Sequence, residues 1–261
     1  MPAAVILLYQ GKVILNGQQF LWPADICQTR QLDVESVLPV DGVFGHDDAC
    51  QLVQLESLCN LDGAEPISVR NFLLDNGFEA FSLLGRASQL SHWYMTHRYC
   101  GACGAATTIA ESGRFLSCAD CGREYYPRIN PCIIVLVTRG EQVLLARSSR
   151  PGADFYSCLA GFIEPGESAE EAVAREVYEE VGIRIHNIRY VRSQPWPFPS
   201  QLMLAYYADY LDGEITPCPE ELSDAAWFSV DHLPRIPSAA ISVAGQLIEQ
   251  FVQRINAIKG D

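Results

Sequence analysis

Three glutamates, Glu176, Glu179 and Glu180, are spaced i, i+3 and i+4, so a helix sets them on one face. Carboxylates gathered in this way repel one another, and become favourable around a hard divalent cation such as Mg2+ or Mn2+, which takes oxygen ligands. A second set of residues offers sulfur. Cys100-x2-Cys103 and Cys118-x2-Cys121 are two knuckles separated by 14 residues. Such knuckles bring four thiolates to one point, which suits tetrahedral zinc, about one ion per chain. With four protein ligands the ion has no open position, so its role would be structural. Gly101, Gly104 and Gly122 stand beside the cysteines, where a tight turn aims backbone N–H groups at sulfur. The alternative is a pair of redox-active dithiols. A nucleic-acid-binding ribbon has little support, because Arg114 is offset by Glu111 and Asp120. His46, His92, His97, His186 and His232 show no ligand spacing with one another.

The elements that must position these groups are also legible. Ser168 followed by Glu171 reads as a capping box that starts a helix over Ser168–Val181, and Gly182 stops it in the left-handed conformation. Val173, Val177 and Val181 form an adjoining apolar stripe that docks the helix on a sheet. Taken alone, a Glu-rich helix is more often a solvated acidic face. Cys132–Val137 and Gln142–Ala146 read as strands around the turn Arg139–Gly140, Leu202–Tyr210 as a strand, and Val243–Ile255 as a closing helix. This mixture predicts an α/β sandwich. Before the cysteines, Val5–Tyr9 and Lys12–Leu15 are strand-like, punctuated by Gly11 and Gly17, and the polar stretch Asp41–Asp48 interrupts the pattern. Ala80, Leu83, Leu84, Ala87, Leu90 and Tyr94 share one helical face. The chain thus divides into an N-terminal domain (1–98), a cysteine segment (99–128) and an α/β domain (129–261).

Composition narrows the function classes. A hydrophobic fraction of 49% over 261 residues supplies an ordinary globular core. A net charge of −14 and a pI near 4.7 disfavour docking on nucleic acid or anionic membrane, except through a local basic site. The first apolar run, Ala3–Tyr9, has seven residues, whereas a span needs about 20. No basic flank precedes it, so it reads as a buried first strand rather than a signal peptide. Without such a signal, the ten cysteines read as free thiols of a cytoplasmic protein.

The segment Gly161-x5-Glu167-x7-Arg175-Glu176-Val177-x-Glu179-Glu180-x-Gly182-Ile183 resembles the Nudix box at every defining position. Downstream, Ser193-Gln194-Pro195-Trp196-Pro197-Phe198-Pro199 resembles the motif of the NADH pyrophosphatase branch of that family, in which zinc knuckles also precede the box. By itself, this proline–aromatic run is equally a rigid loop of polyproline II. The resemblance implies a Nudix α/β/α sandwich with a preceding zinc ribbon and a smaller N-terminal α+β domain. It implies that Glu176, Glu179 and Glu180 hold Mg2+ or Mn2+, that Arg175 orients a carboxylate, and that Glu167 supports the site. The Ala160 carbonyl and Glu221, with Glu220 as the fallback, would add metal ligands. Substrate would meet Gln194, Pro195, Trp196, Pro197, Phe198, Pro199, Ser200 and Gln201. Phe162 and Tyr126 would stack on adenine, Ala244 would offer a backbone contact, and Arg70 a phosphate contact. Two departures stand out. Ser200 and Gln201 are exchanged relative to the family pattern, and an expected acidic contact falls on Gly113. The implied activity is hydrolysis of NADH, and less well NAD+, to AMP and nicotinamide mononucleotide. NAD-cap removal from RNA is the same chemistry on a larger substrate. A homodimer is implied as well. A non-enzymatic nucleotide-sensing or nucleic-acid-binding module would not need all three box glutamates.

Overall fold

The opening apolar run forms β1 (Ala4–Tyr9), whose four central residues are buried. It is the spine of a six-stranded sheet with β2 (Lys12–Ile14), β3 (Leu21–Pro23), β4 (Val34–Pro39), β5 (Cys50–Leu55) and β6 (Pro66–Ser68). The strand order is β4-β5-β1-β2-β6, with β3 also on β1, and β1 runs parallel to β5. Val5, Leu7, Ile14, Trp22, Val53 and Leu55 fill one core of this unit, beside the short helix α1 (Ile26–Thr29). The computed structural model describes residues 4–40, 50–61, 63–77 and 80–260, so the polar stretch Asp41–Asp48, with His46, lies outside the described residues.

Helix α2 (Val69–Asn76) follows, capped by Ser68, whose side chain accepts from the Asn71 N–H. A π-helical turn, Phe81–Gly85, then runs into α3 (Arg86–Thr96). Leu83, Leu84 and Ala87 are buried as the 3.6 period predicts, but the buried face continues through Ser91 and Trp93 instead of Leu90 and Tyr94. A small antiparallel sheet completes the N-terminal part: β7 (Thr107–Ile109), β8 (Leu116–Cys118) and β9 (Glu124–Tyr125).

The chain forms two compact units. One is Met1–Ile129 with Trp196–Ser200, and the other is Asn130–Pro195 with Gln201–Asp261. In the second unit, β10 (Asn130–Arg139), β11 (Gln142–Ser148), β12 (Leu159–Phe162), β13 (Arg184–Trp196), β14 (Gln201–Asp212) and β15 (Leu222–Ser229) build a mixed sheet of order β13-β14-β10-β11-β15, with β12 on β10. Side chains alternate across it. Ile133, Val135 and Val137 of β10 face α4 (Ala169–Val181), through Val173, Val177 and Val181. Ile134 and Leu136 face α5 (Val243–Gly260), through Val243, Leu247, Ile248 and Phe251. With both faces covered, β10 is a continuous apolar run. The result is the α/β/α sandwich expected from the sequence. No helix among the described residues is long and apolar enough to cross a membrane.

Three strands of the second unit, β12, β13 and β15, escaped the sequence reading. β12 is only four residues long, too short for a period to show. β13 lies at the sheet edge, where most positions are exposed and no clean two-residue alternation survives. The proline–aromatic motif is therefore a rigid loop only in its second half. Ser193–Trp196 ends β13, and 197–200 form a turn.

Candidate active site and zinc site

The carboxylate face rests on a well-terminated helix. Ser168 Oγ accepts from the Glu171 N–H at 3.3 Å, and the Glu171 carboxylate accepts from the Ser168 N–H at 2.7 Å. This reciprocal pair satisfies two amides that the first helical turn leaves open. At the other end Gly182 has φ 74°. That conformation is strained for any residue with a Cβ.

Arg175 organises the face. Its Nε and Nη2 donate to the two oxygens of Glu167 at 2.5 and 2.8 Å, a bidentate pair. Nη1 donates to Glu176 Oε1 at 2.8 Å and to Glu179 Oε2 at 2.9 Å, and Nη2 also donates to the Phe162 carbonyl at 2.9 Å. One guanidinium thus ties the end of β12, the following loop and α4 together. The same guanidinium holds the Glu167 carboxyl down at about 2, with help from the Glu164 N–H.

Glu180 has the opposite environment. It is 6% exposed, while the Glu179 side chain beside it is 58% exposed. Burial first, and then the charges of Glu176 and Glu221, push the Glu180 carboxyl up to about 8. A backbone hydrogen bond from Ala160 of β12 acts in the other direction. Burial also raises Glu176, whose carboxyl feels Glu179 and Glu221. Glu176 lies hard against β12, since a Cβ built on Gly161 would stand 1.9 Å from its carboxyl carbon. Glycine at 161 is what lets the carboxylate occupy that place.

A buried and a partly buried carboxylate that share one field, with a backbone segment at Ala160 beside them, fit a hard divalent cation. Glu221 is the further carboxylate whose charge reaches both Glu176 and Glu180. Glu220 instead uses its backbone carbonyl, which accepts from Ser149 Oγ. The four sulfurs are gathered more tightly than the carboxylates. Sγ atoms of Cys100 and Cys121, and of Cys103 and Cys118, are 3.5 Å apart, and all four ligand atoms lie within 4.8 Å. A tetrahedral ion with Zn–S near 2.3 Å has S···S edges of about 3.8 Å, so the quartet fits zinc. Both knuckles turn alike: Gly104 N–H donates to the Cys100 carbonyl and Gly122 N–H to the Cys118 carbonyl, each at 2.9 Å and each with positive φ. All ten cysteines are free of disulfides.

The remaining predicted residues divide between the two units. In the second unit, Phe162 is half-exposed at the end of β12, and Gln201 opens β14. Pro195 is exposed near the end of β13, and Ala244 is buried in the first turn of α5. Gln194 is buried, and both ends of its amide are occupied within the protein. Its Oε1 accepts from the Val243 N–H at 2.7 Å and its Nε2 donates to the Ile241 carbonyl at 2.8 Å, so it caps the start of α5. Sequence reasoning missed this role, because the partners lie 47 and 49 residues away. In the first unit, Trp196 and Phe198 pack against Phe81, and Pro197 closes on Gly85. Pro199 lies at a groove beside Arg70, and Ser200 is buried. Arg70 holds its guanidinium 5.5 Å from the Phe198 ring. Tyr126 is 60% exposed, donates to Glu124 at 2.9 Å and packs on Phe115. At Gly113, φ is 68° and an added Cβ would stand 2.4 Å from Pro39. No acidic side chain fits there, which accounts for the missing contact.

Comparison with known proteins agrees with this geometry. The NUDIX domain family matches residues 128–251, and the NADH pyrophosphatase zinc ribbon domain matches residues 96–126. The chain is 48% identical over 249 residues to a protein named NAD-capped RNA hydrolase NudC from Pseudomonas syringae pv. syringae (strain B728a), covering 95% of this chain and 88% of that one. It is 47% identical over 243 residues to the protein of the same name from Stutzerimonas stutzeri (strain A1501), covering 92% and 86%. Among solved structures, a NUDIX hydrolase from Nitrosomonas europaea superposes with a TM-score of 0.52 at 23% identity, covering 61% of this chain and 93% of that one. That likeness concerns the fold alone.

Proposed function

The chain belongs to the Nudix hydrolase family, and on that premise we propose that it hydrolyses the pyrophosphate bond of NADH and NAD+, giving AMP and nicotinamide mononucleotide. The observation that carries this reading is the buried Glu180 with the partly buried Glu176, both in the field of Glu221 beside β12. Glu176, Glu180, Glu221 and the Ala160 carbonyl would hold Mg2+ or Mn2+, with Glu179 as a ligand or as the proton acceptor. When bound, the metal neutralises charge on the pyrophosphate oxygens and lowers the pKa of the attacking water. The water oxygen joins one phosphorus as the bridging P–O bond breaks, and a carboxylate of the helix face takes the proton. Arg175 keeps Glu176 and Glu179 on that face and holds Glu167 under the loop. Within the second unit, this reading gives Phe162 the stacking contact to adenine, and Pro195, Gln201 and the backbone at Ala244 contacts to the rest of the dinucleotide. Within the first unit, it assigns substrate contacts to Tyr126, Arg70 and the segment from Trp196 to Ser200. Gln194 contributes by holding the start of α5.

A second reading, removal of the NAD cap from RNA, is favoured by the names of the relatives, each an NAD-capped RNA hydrolase. The reacting bond and its adenosine–pyrophosphate–nicotinamide surroundings are the same in both substrates. Three further assignments belong to this proposal: the division at residues 98 and 128, a homodimer, and a reducing cytoplasmic setting, the last supported by ten free thiols. The test incubates the chain with NADH and with NAD-capped RNA, in Mg2+ or Mn2+, and follows nicotinamide mononucleotide from both, AMP from NADH and 5′-monophosphorylated RNA from the capped RNA. Absence of nicotinamide mononucleotide from both substrates would refute the assignment. Capped-RNA cleavage that far exceeds NADH cleavage and falls steeply with salt would favour the second substrate.

A further inference from the structure

Beside the sulfur quartet stands a hydroxyl that the zinc knuckles alone do not require. Tyr125, in β9, places its Oη 3.0 Å from Cys100 Sγ and 3.0 Å from the Gly101 backbone nitrogen, which donates to it. A phenol has a single proton. The amide already donates to the oxygen, and a thiolate ligand has only lone pairs to offer. The Tyr125 proton therefore points at sulfur. We propose that Tyr125 is a positioning residue of the zinc site: its hydroxyl spans the first knuckle, fixing the Cys100 thiolate and the turn at Gly101 relative to β9.

The surroundings explain why this thiolate has such a partner. Cys100 and Cys118 are buried, whereas Cys103 and Cys121 are exposed and can be hydrated; of the buried two, Cys100 is the one that Tyr125 reaches. A buried anion without a hydrogen bond is unfavourable. Charge-assisted bonds to ligand atoms orient them and raise metal affinity. The neighbouring tyrosines do not substitute. Tyr126, just past β9, donates to Glu124 and packs on Phe115. Tyr99, next to Cys100 in the chain, is 71% exposed. Tyr125 also carries the metal's restraint into the strand next to Tyr126, because Tyr125 pairs with Leu116 and Glu124 with Ser117 of β8. The inference concerns the metal site only and stands whichever dinucleotide is cleaved.

The experiment is Tyr125→Phe, which removes one oxygen and leaves the ring in place against His97. Zinc affinity is read by competition with a chromophoric chelator, and the thiolate-to-metal charge-transfer band is read after loading with Co2+. Loss of such an outer hydrogen bond should weaken zinc binding about 10- to 100-fold. The cobalt band should shift, while Tyr99→Phe changes neither quantity. Zinc affinity within about 2-fold of the parent, with an unshifted band, would overturn the proposal. So would equal effects from Tyr99→Phe. If Tyr125→Phe fails to fold, 3-fluorotyrosine at position 125 keeps the shape and hydroxyl but changes its strength as a donor. A cobalt band indifferent to that change would be equally decisive against the proposal.

Discussion

Replacing Glu180 by glutamine should stabilise this protein while disabling it, and pH should reveal why. The Glu180 carboxyl is held near 8 in the folded chain, against an ordinary 4.5. The folded state therefore retains a proton that the unfolded state releases between those values. The stability linked to that proton is fully present below 4.5 and is lost as pH rises through 8. At pH 7 the loss is about 3 kcal/mol, from about 1.4 kcal/mol per pH unit over the interval from 4.5, and it levels off near 5 kcal/mol above pH 8. Glutamine is neutral throughout, and its amide oxygen can still accept the bond from Ala160. Glu180→Gln should match the parent near pH 4.5 and exceed it by about 3 kcal/mol at pH 7, or roughly 6–12 °C in midpoint for a chain of this size. The assay is thermal and urea unfolding of the zinc-loaded protein, freed of Mg2+ and Mn2+, at pH 4.5, 6, 7 and 8. Adding Mg2+ should raise the parent's midpoint and leave the variant's nearly unmoved, and NADH turnover should fall by orders of magnitude. A stability gap that does not grow with pH, or a variant less stable than the parent at pH 7, would refute the reasoning.

Three other perturbations probe separate parts of the same unit. Gly161→Ala puts a methyl where the Glu176 carboxyl lies, so kcat should fall at least as far as in Glu176→Gln, with unfolding easier by about 1–3 kcal/mol. Normal turnover would mean that Glu176 does not work from this position. Glu167→Gln breaks the bidentate pair with Arg175. Because the Glu167 carboxyl is depressed to about 2, the parent's advantage should be constant above pH 4.5 and shrink as pH falls toward 2, as acid titration of both proteins would record. Gln194→Ala leaves the Val243 N–H and Ile241 carbonyl without their partner, which costs about 1–3 kcal/mol. Hydrogen exchange should speed up at Val243 before the rest of α5, and unchanged protection there would show that Gln194 is not the cap.

The carboxylate helix was legible because everything that specifies it is local. Ser168, Glu171 and Gly182 define its ends within the chain's own turns, and the i, i+3, i+4 spacing of Glu176, Glu179 and Glu180 follows from helix geometry alone. The cysteine knuckles are local for the same reason, since two residues between ligands set the turn. The continuous apolar run of β10 follows from its two faces, onto which alternate side chains point and both of which helices cover. What local pattern does not contain is the neighbour across space. Glu179 and Glu180 are adjacent and chemically identical in the sequence. One is solvated and the other is driven toward neutrality, because β12 packs over one side of α4 and Glu221 arrives from the turn that precedes β15. The buried stripe of α3 runs through Ser91, which donates to Gln54 of β5, and Trp93 rather than through Leu90 and Tyr94, a choice made by the neighbouring element that no periodic count detects. Gln194 looks like part of a binding motif until Ile241 and Val243 fold back onto it, and Tyr125 looks like any strand aromatic until the knuckle sets Cys100 within reach of its hydroxyl. Burial, charge coupling and long-range hydrogen bonds depend on distances that only the closed chain creates, and those terms decided how the residues already visible in the sequence would act.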